Sequence, residues 1–184
     1  SFWNPGATAN IDRAGFMLFH TSLFMGTNYD CFSLSYPFET HGVVSIFAGR
    51  ISTGDIQERD AFNREVRSFS SAENQFGLGF GRAIAYGLSG GMSLKAASME
   101  INSISGYGFG ADIGLQYKPS ILKGLIAGLS INDIIKPSIK LADISDKYQT
   151  VSRLGLSYSR GILKNMESTI SIQYETVNDR NSIF

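Results

Sequence analysis

Apolar and polar residues alternate along most of this chain with a period of two. In Gln75–Gly81, Phe76, Leu78 and Phe80 fall on one face, while Gln75, Gly77, Gly79 and Gly81 fall on the other. A helix would scatter that set around its circumference and carry several destabilising glycines. The same pattern runs through Gly106–Lys118. There Tyr107, Phe109, Ala111, Ile113, Leu115 and Tyr117 oppose Gly106, Gly108, Gly110, Asp112, Gly114, Gln116 and Lys118. It recurs at Phe32–Tyr36, Leu125–Asn132, Arg153–Ser159 and Ile170–Glu175. One face is Leu, Ile, Phe and Tyr, and the other is Gly, Ser, Asn, Gln and a few charges. The pattern predicts about nine antiparallel strands, near 14–24, 29–37, 42–53, 66–82, 86–101, 106–118, 124–135, 150–160 and 166–176.

The connections between these strands differ in kind. Phe38–His41, Ala83–Ala85, Pro119–Lys123 and Gly161–Asn165 are short. Thr53–Glu65, Lys136–Gln149 and the tail from Val177 are longer and more polar, with two short exceptions near Met25–Asn28 and Asn102–Ser105. Tyr36, Phe38, Tyr86, Tyr117 and Tyr158 gather beside the short turns. Transmembrane barrels alternate short turns with long loops, and carry aromatic girdles at both interfaces. The predicted fold is therefore an all-β, antiparallel transmembrane β-barrel, a single domain over residues 1–184 preceded by a pre-strand segment at 1–12. An odd strand count would leave an open edge in lipid, so the chain is expected to be an incomplete fragment of a larger barrel. A miscounted strand near Pro137–Leu141 is the competing expectation.

Composition sharpens this picture. Charged residues make up 17% of the 184 positions, against roughly 25% in soluble domains. The net charge is zero, which argues against nucleic-acid binding, since phosphate neutralisation needs a basic excess. No run approaches the roughly 18 apolar residues of a spanning helix, a fact that leaves barrel strands untouched. Cys31 is the single cysteine, so no intrachain disulfide can form.

Several segments, in order along the chain, resemble a known family. Phe2–Ala9 resembles the "WNPAGLA" segment of the PorV/PorQ family, relatives of the FadL-type outer-membrane transporters, with Gly6 where that family usually has Ala. Asn28-Tyr29-Asp30 with Phe32–Pro37 is similar to its "NYD…AFAYP" strand, and Gly54-Asp55-Ile56 to its "GDI". Leu78–Arg82 resembles "LGLSYAR", and Ser105–Pro119 resembles "ASGFAADLGLLYRP" closely. Leu125–Lys140 resembles "LGLALQNLGPKIK", and Arg153–Tyr158 resembles "LRLGLSYR". The resemblance implies a FadL-like barrel of the bacterial outer membrane with its N-terminal segment inside the lumen. It implies either passage of hydrophobic small molecules across that membrane or a non-transporting adaptor or shuttle role in a type IX-like protein secretion system. The partners that follow are membrane lipid or detergent, a hydrophobic small-molecule ligand, and a secreted or secretion-system protein.

The candidate residues divide by location. Asn4 and Pro5 are expected to shape a turn in the lumen, with Trp3 packed inside, or else an ordinary turn before the first strand. Asp112, on the small polar face, is expected to pair with Arg153 or Lys118, to hold a plug segment, or to remain a solvated luminal charge. Asp55, Glu58, Arg59 and Arg64 lie in the longest expected external loop, either as a solvated loop or as a partner contact. No catalytic residue or cofactor is expected. His20, His41 and Cys31 are too few and too scattered for a zinc site. No nucleophile elbow occurs, and the glycines of Gly77–Gly81 lie within a strand pattern without the helix of a phosphate loop.

Overall fold

A computed structural model describes residues 3–38, 41–102, 104–141, 144–163 and 166–178. The expectations at residues 1–2, 39–40, 103, 142–143 and 164–165 and for the tail at 179–184 lie outside these. The described residues are almost entirely strand. They comprise β1 (Gly15–Ser22), β2 (Thr27–Phe38), β3 (Gly42–Arg59), β4 (Glu65–Ala85), β5 (Leu88–Ile101), β6 (Ile104–Tyr117), β7 (Leu125–Ile135), β8 (Ser138–Leu141), β9 (Ile144–Lys147), β10 (Thr150–Leu163) and β11 (Met166–Asn178). Nine of them form one antiparallel sheet in the order β1-β2-β3-β4-β5-β6-β7-β10-β11, curled into a half-barrel.

Every predicted strand is present in this sheet. The hairpin turns show why the chain reverses where it does. Tyr86 and Gly87 both have positive φ, the backbone that a tight two-residue hairpin with right-handed strand twist requires. At Gly87 a Cβ would lie 2.0 Å from the Lys118 carbonyl oxygen, so glycine is needed there for space as well.

Register then distributes the side chains. In antiparallel pairs, directly opposed residues share a face. The row Phe16, Leu34, Ile46, Leu78 and Leu94 runs across five strands on the convex face. Those side chains are exposed, as are Phe76, Tyr107, Phe109, Ile170, Ile172 and Tyr174. The opposite row, Ser35, Ser45, Gly79, Ser93 and Asp112, lies on the concave face, where Ser45, Ser93 and Asp112 are buried. The polarity is thus inverted relative to a water-soluble fold, with large apolar groups outside and small polar groups inside.

Two segments depart from the expected layout. Thr53–Glu65 is largely not a loop. β3 runs on to Arg59 and β4 begins at Glu65, so the pair extends past its neighbours as a two-stranded arm. A bulge at Gly54 and Asp55 separates arm from wall, with Asp55 at φ 50°. Its many polar residues satisfy each other across the two strands, which a composition-based loop reading overlooks. Lys136–Gln149 is not a free external loop either. It folds into the β8–β9 hairpin, a separate two-stranded sheet packed against β6. The strand suspected near Pro137–Leu141 therefore exists, but it lies against the wall instead of within it.

Candidate functional site

The concave face carries the chemistry. It is covered by two inserts, each seated on glycines. The first is a six-residue 3₁₀ turn, Pro5–Asn10. Asn4 caps it by accepting from the Gly6 amide at 2.8 Å, and its amide nitrogen donates to the Leu115 carbonyl at 3.0 Å. Pro5 suits the first position, because its fixed φ fits the turn and its missing N–H would have had no partner. The turn reaches the wall because Gly81, Gly91 and Gly114 offer no side chain there. A Cβ on Gly114 would lie 2.1 Å from Asn4 Oδ1, and one on Gly91 would lie 2.3 Å from the Pro5 carbonyl oxygen. Asn10 and Ser89 complete the seat: Asn10 donates to Gln116 Oε1 at 2.6 Å, and the Ser89 hydroxyl donates to the Gly6 carbonyl at 3.2 Å.

The second insert is the β8–β9 hairpin with its flanks. Pro137 and Ile139 are fully buried against Gly108 and Gly110 of β6. A Cβ on Gly110 would lie 2.8 Å from Pro137 Cγ. Past the hairpin, the Tyr148 hydroxyl donates to the Glu73 carboxylate on β4, and the Tyr148 amide donates to the Pro137 carbonyl at 3.2 Å.

Between the inserts lies a buried ionic cluster. Lys95 Nζ stands 2.7 Å from Asp112 Oδ1 and 2.9 Å from Asp133 Oδ1. The Lys95 and Asp112 side chains are only 5% and 3% exposed. Asp112 also accepts from the Ser93 hydroxyl at 2.8 Å and from the Asp133 backbone N–H at 2.7 Å. The contact of Asp133 Oδ1 with Lys95 is an ion pair whose angles fall short of a hydrogen bond. Strict alternation after Ile131 would turn Asp133 to the convex face. A bulge between β6 and β7 at Ala111/Ile113, with Asp133 at φ 56°, turns it inward. The cluster holds two carboxylates and one ammonium in a poorly hydrated place, so its members depend on one another.

Asp112 is therefore neither solvated nor paired with Arg153 or Lys118. Lys95 is its partner. Arg153 instead donates to Asn132 Oδ1 at 2.7 Å and to Glu175 Oε2 at 2.6 Å. Its guanidinium lies 4.9 Å from the Trp3 ring centroid, a cation–π contact that ties the N-terminal segment to β10. Trp3 touches the wall there but stays 70% exposed, so it is not enclosed. Spacing within one strand does not single out Lys95. A signal was available: it shares the small face with Ser93 and Ala97, beside the strand that carries Asp112.

The arm collects the other candidates. Glu58 pairs with Arg67, and Arg59 pairs with Glu65 at 2.7 Å, in both cases directly across the two strands. Arg64 meets Asp60 at 2.8 Å in the turn. The Asp60 carboxyl is held below the ordinary carboxylate range, first by the Arg64 backbone N–H, then by the Arg64 guanidinium and the Phe62 N–H. Asp55 sits at the bulge, away from these pairs.

Among the described residues, no three His, Cys, Asp or Glu side chains are grouped to hold a metal ion. Compared with protein-family models, curated proteins and solved structures, the chain gives no match.

Proposed function

We propose that this chain forms wall strands of a transmembrane β-barrel of the bacterial outer membrane, whose plugged lumen passes hydrophobic small molecules. The observation that carries this reading is the exposed apolar convex face. On β6, Tyr107, Phe109, Ile113, Leu115 and Tyr117 are all exposed on that face, with a tyrosine at each end. From Tyr107 to Tyr117 the strand rises roughly 34 Å. At a tilt of ~40° that is about 26 Å of height, matching the apolar band of a barrel between two aromatic girdles. Tyr36, Phe38, Tyr86 and Tyr158, exposed near the short turns, continue the lower girdle. β1 and β11 each pair on one side only among the described residues, and lipid would require further strands at those edges. The motif resemblance to PorV/PorQ and FadL-type proteins supports the same reading.

Passage is favoured by how the inserts are held. Both rest on glycine tracks through hydrogen bonds and van der Waals contact, so a ligand would displace them without breaking a covalent bond. A second reading, an adaptor for a secreted protein, is favoured by the arm. Its exposed, internally paired charges stiffen a ribbon that projects beyond β2 and β5.

Vesicles test the proposal directly. With its β1 and β11 edges paired by further strands or by a second copy, the refolded chain is expected to insert and become protease-protected, whereas Leu94→Arg on the convex face should lose about 2–4 kcal/mol of folding free energy in the bilayer. A chain that stays monomeric in buffer without detergent would overturn the membrane reading. Uptake of labelled fatty acid separates the two roles. Insertion without uptake, together with binding of a secreted protein that is lost when Ala61–Arg64 is excised, would favour the adaptor.

A further inference from the structure

On the convex face, one row of the sheet alternates large and small: Phe32, Ala48, Phe76, Ala96 and Phe109 are direct cross-strand neighbours in that order. Two adjoining hollows open above the small residues. One, of about 550 Å³, lies over Ala48 between Leu18, Phe32 and Phe76. The other, of about 500 Å³, continues from Ala48 to Ala96 beside Ile46 and Leu94. They share Phe32, Ala48 and Phe76, and together form a shallow, mainly apolar channel bending around the exposed Phe76 ring, of the kind a flexible hydrocarbon chain fills.

The channel is flanked along one side by a polar row on the same face, two residues further along each strand: His20, Asp30, Arg50, Asn74 and Ser98. This row borders the first hollow, and lies towards the end of the wall from which the β3–β4 arm projects. Arg50 is exposed, and its guanidinium donates to Asn74 Oδ1 at 3.2 Å. No carboxylate among the described residues forms an ion pair with it within 4.0 Å. Its cross-strand neighbour Asp30 is engaged by His20 Nδ1 at 2.7 Å. A guanidinium facing the margin of an apolar band, with most of its donors free, calls for an anion at that level. The planar fork matches two phosphate oxygens.

We propose that this surface is a binding site for an anionic phospholipid, with its phosphate on Arg50 and one acyl chain laid in the channel over Ala48 and Ala96. Charge complementarity sets the headgroup, and the polar residues lining only the first hollow set the side on which it lies. The inference rests on the membrane reading above.

The full chain, folded in detergent micelles, is titrated with short-chain phosphatidylglycerol, and bound lipid is counted by native mass spectrometry. Parallel arms use the matching diacylglycerol and inorganic phosphate. Wild type is expected to retain phosphatidylglycerol at least about tenfold more tightly than Arg50→Gln, the scale of one charge-assisted contact. Ala48→Phe should weaken binding similarly by filling the channel. Diacylglycerol should bind poorly, and millimolar phosphate should not displace the lipid. Equal retention by wild type and both variants would overturn the site, as would displacement by phosphate alone. Vesicle insertion of the same preparations, with the β1 and β11 edges paired as above, is read in parallel. Normal insertion with unchanged lipid binding removes only this inference, whereas failure to insert removes the membrane reading with it.

Discussion

Replacing Lys95 by Met is the sharpest test of the concave face. Methionine matches the length of the lysine stem and removes only the ammonium. Asp112 and Asp133, 2.7 Å and 2.9 Å from that ammonium, would then face one another with no cation between them. Water offers little relief, because the Asp112 and Asp133 side chains are 3% and 12% exposed. Breaking a buried pair from one side costs about 3–5 kcal/mol, since it strands an uncompensated charge. Two stranded carboxylates place the expected loss at the upper end of that range. Replacing Lys95, Asp112 and Asp133 together by Met, Asn and Asn should recover most of it. Asparagine at 112 can accept the Asp133 backbone N–H through its one oxygen and donate its amide N–H to the Ser93 hydroxyl oxygen, and no buried charge remains. The assay is urea unfolding of the chain in detergent, followed by Trp3, the single tryptophan. A loss below about 1 kcal/mol for Lys95→Met would place the cluster among hydrated surface pairs and refute the reasoning.

Three other outcomes follow from the same geometry. Gly91→Ala should dislodge the N-terminal turn, because its Cβ would meet the Pro5 carbonyl oxygen at 2.3 Å; faster proteolytic removal of the first residues, with the wall intact, is the readout. Gly110→Leu should lift the β8–β9 hairpin off β6, where Pro137 Cγ stands 2.8 Å from the Cβ position; in a chain with Cys31 changed to Ser, a cysteine placed at Ala97, the buried cross-strand neighbour of Gly108, should then react faster with a water-soluble maleimide, and an unchanged rate would count against the hairpin as a plug. At the arm tip, the depressed Asp60 pKa means the ionised form is favoured by folding. Hydrogen-bonded order there is complete above the ordinary carboxylate pKa and lost as pH falls through the lower folded value, so the Phe62 and Arg64 amide signals should shift only in that acidic window.

The wall was legible from the chain alone because its information is local. Side chains of a strand alternate sides by geometry, so Phe76, Leu78 and Phe80 share a face wherever the strand ends up. The turn between β4 and β5 lies at Tyr86-Gly87, just past the Ala83–Ala85 connection that the alternation predicts, because alternation marks a strand's face more sharply than its end. The contrast of Leu, Phe and Tyr against Gly and Ser therefore marked nine strands and their unequal faces. What the tertiary structure decided depends on register and on segments that fold back. Asp112 meets Lys95 because β5 pairs with β6 in a register that sets Ser93 opposite Asp112, which no spacing within either strand specifies. Asp133 faces inward because a bulge breaks its alternation. Polar residues in Thr53–Glu65 read as a loop because cross-strand ion pairs are invisible in one dimension. That the bare backbone of the β5 and β6 glycines seats Pro5 and Pro137, residues remote in the chain, is likewise decided by packing. Alternation records which side of the sheet a residue occupies, and only long-range packing determines what it meets there.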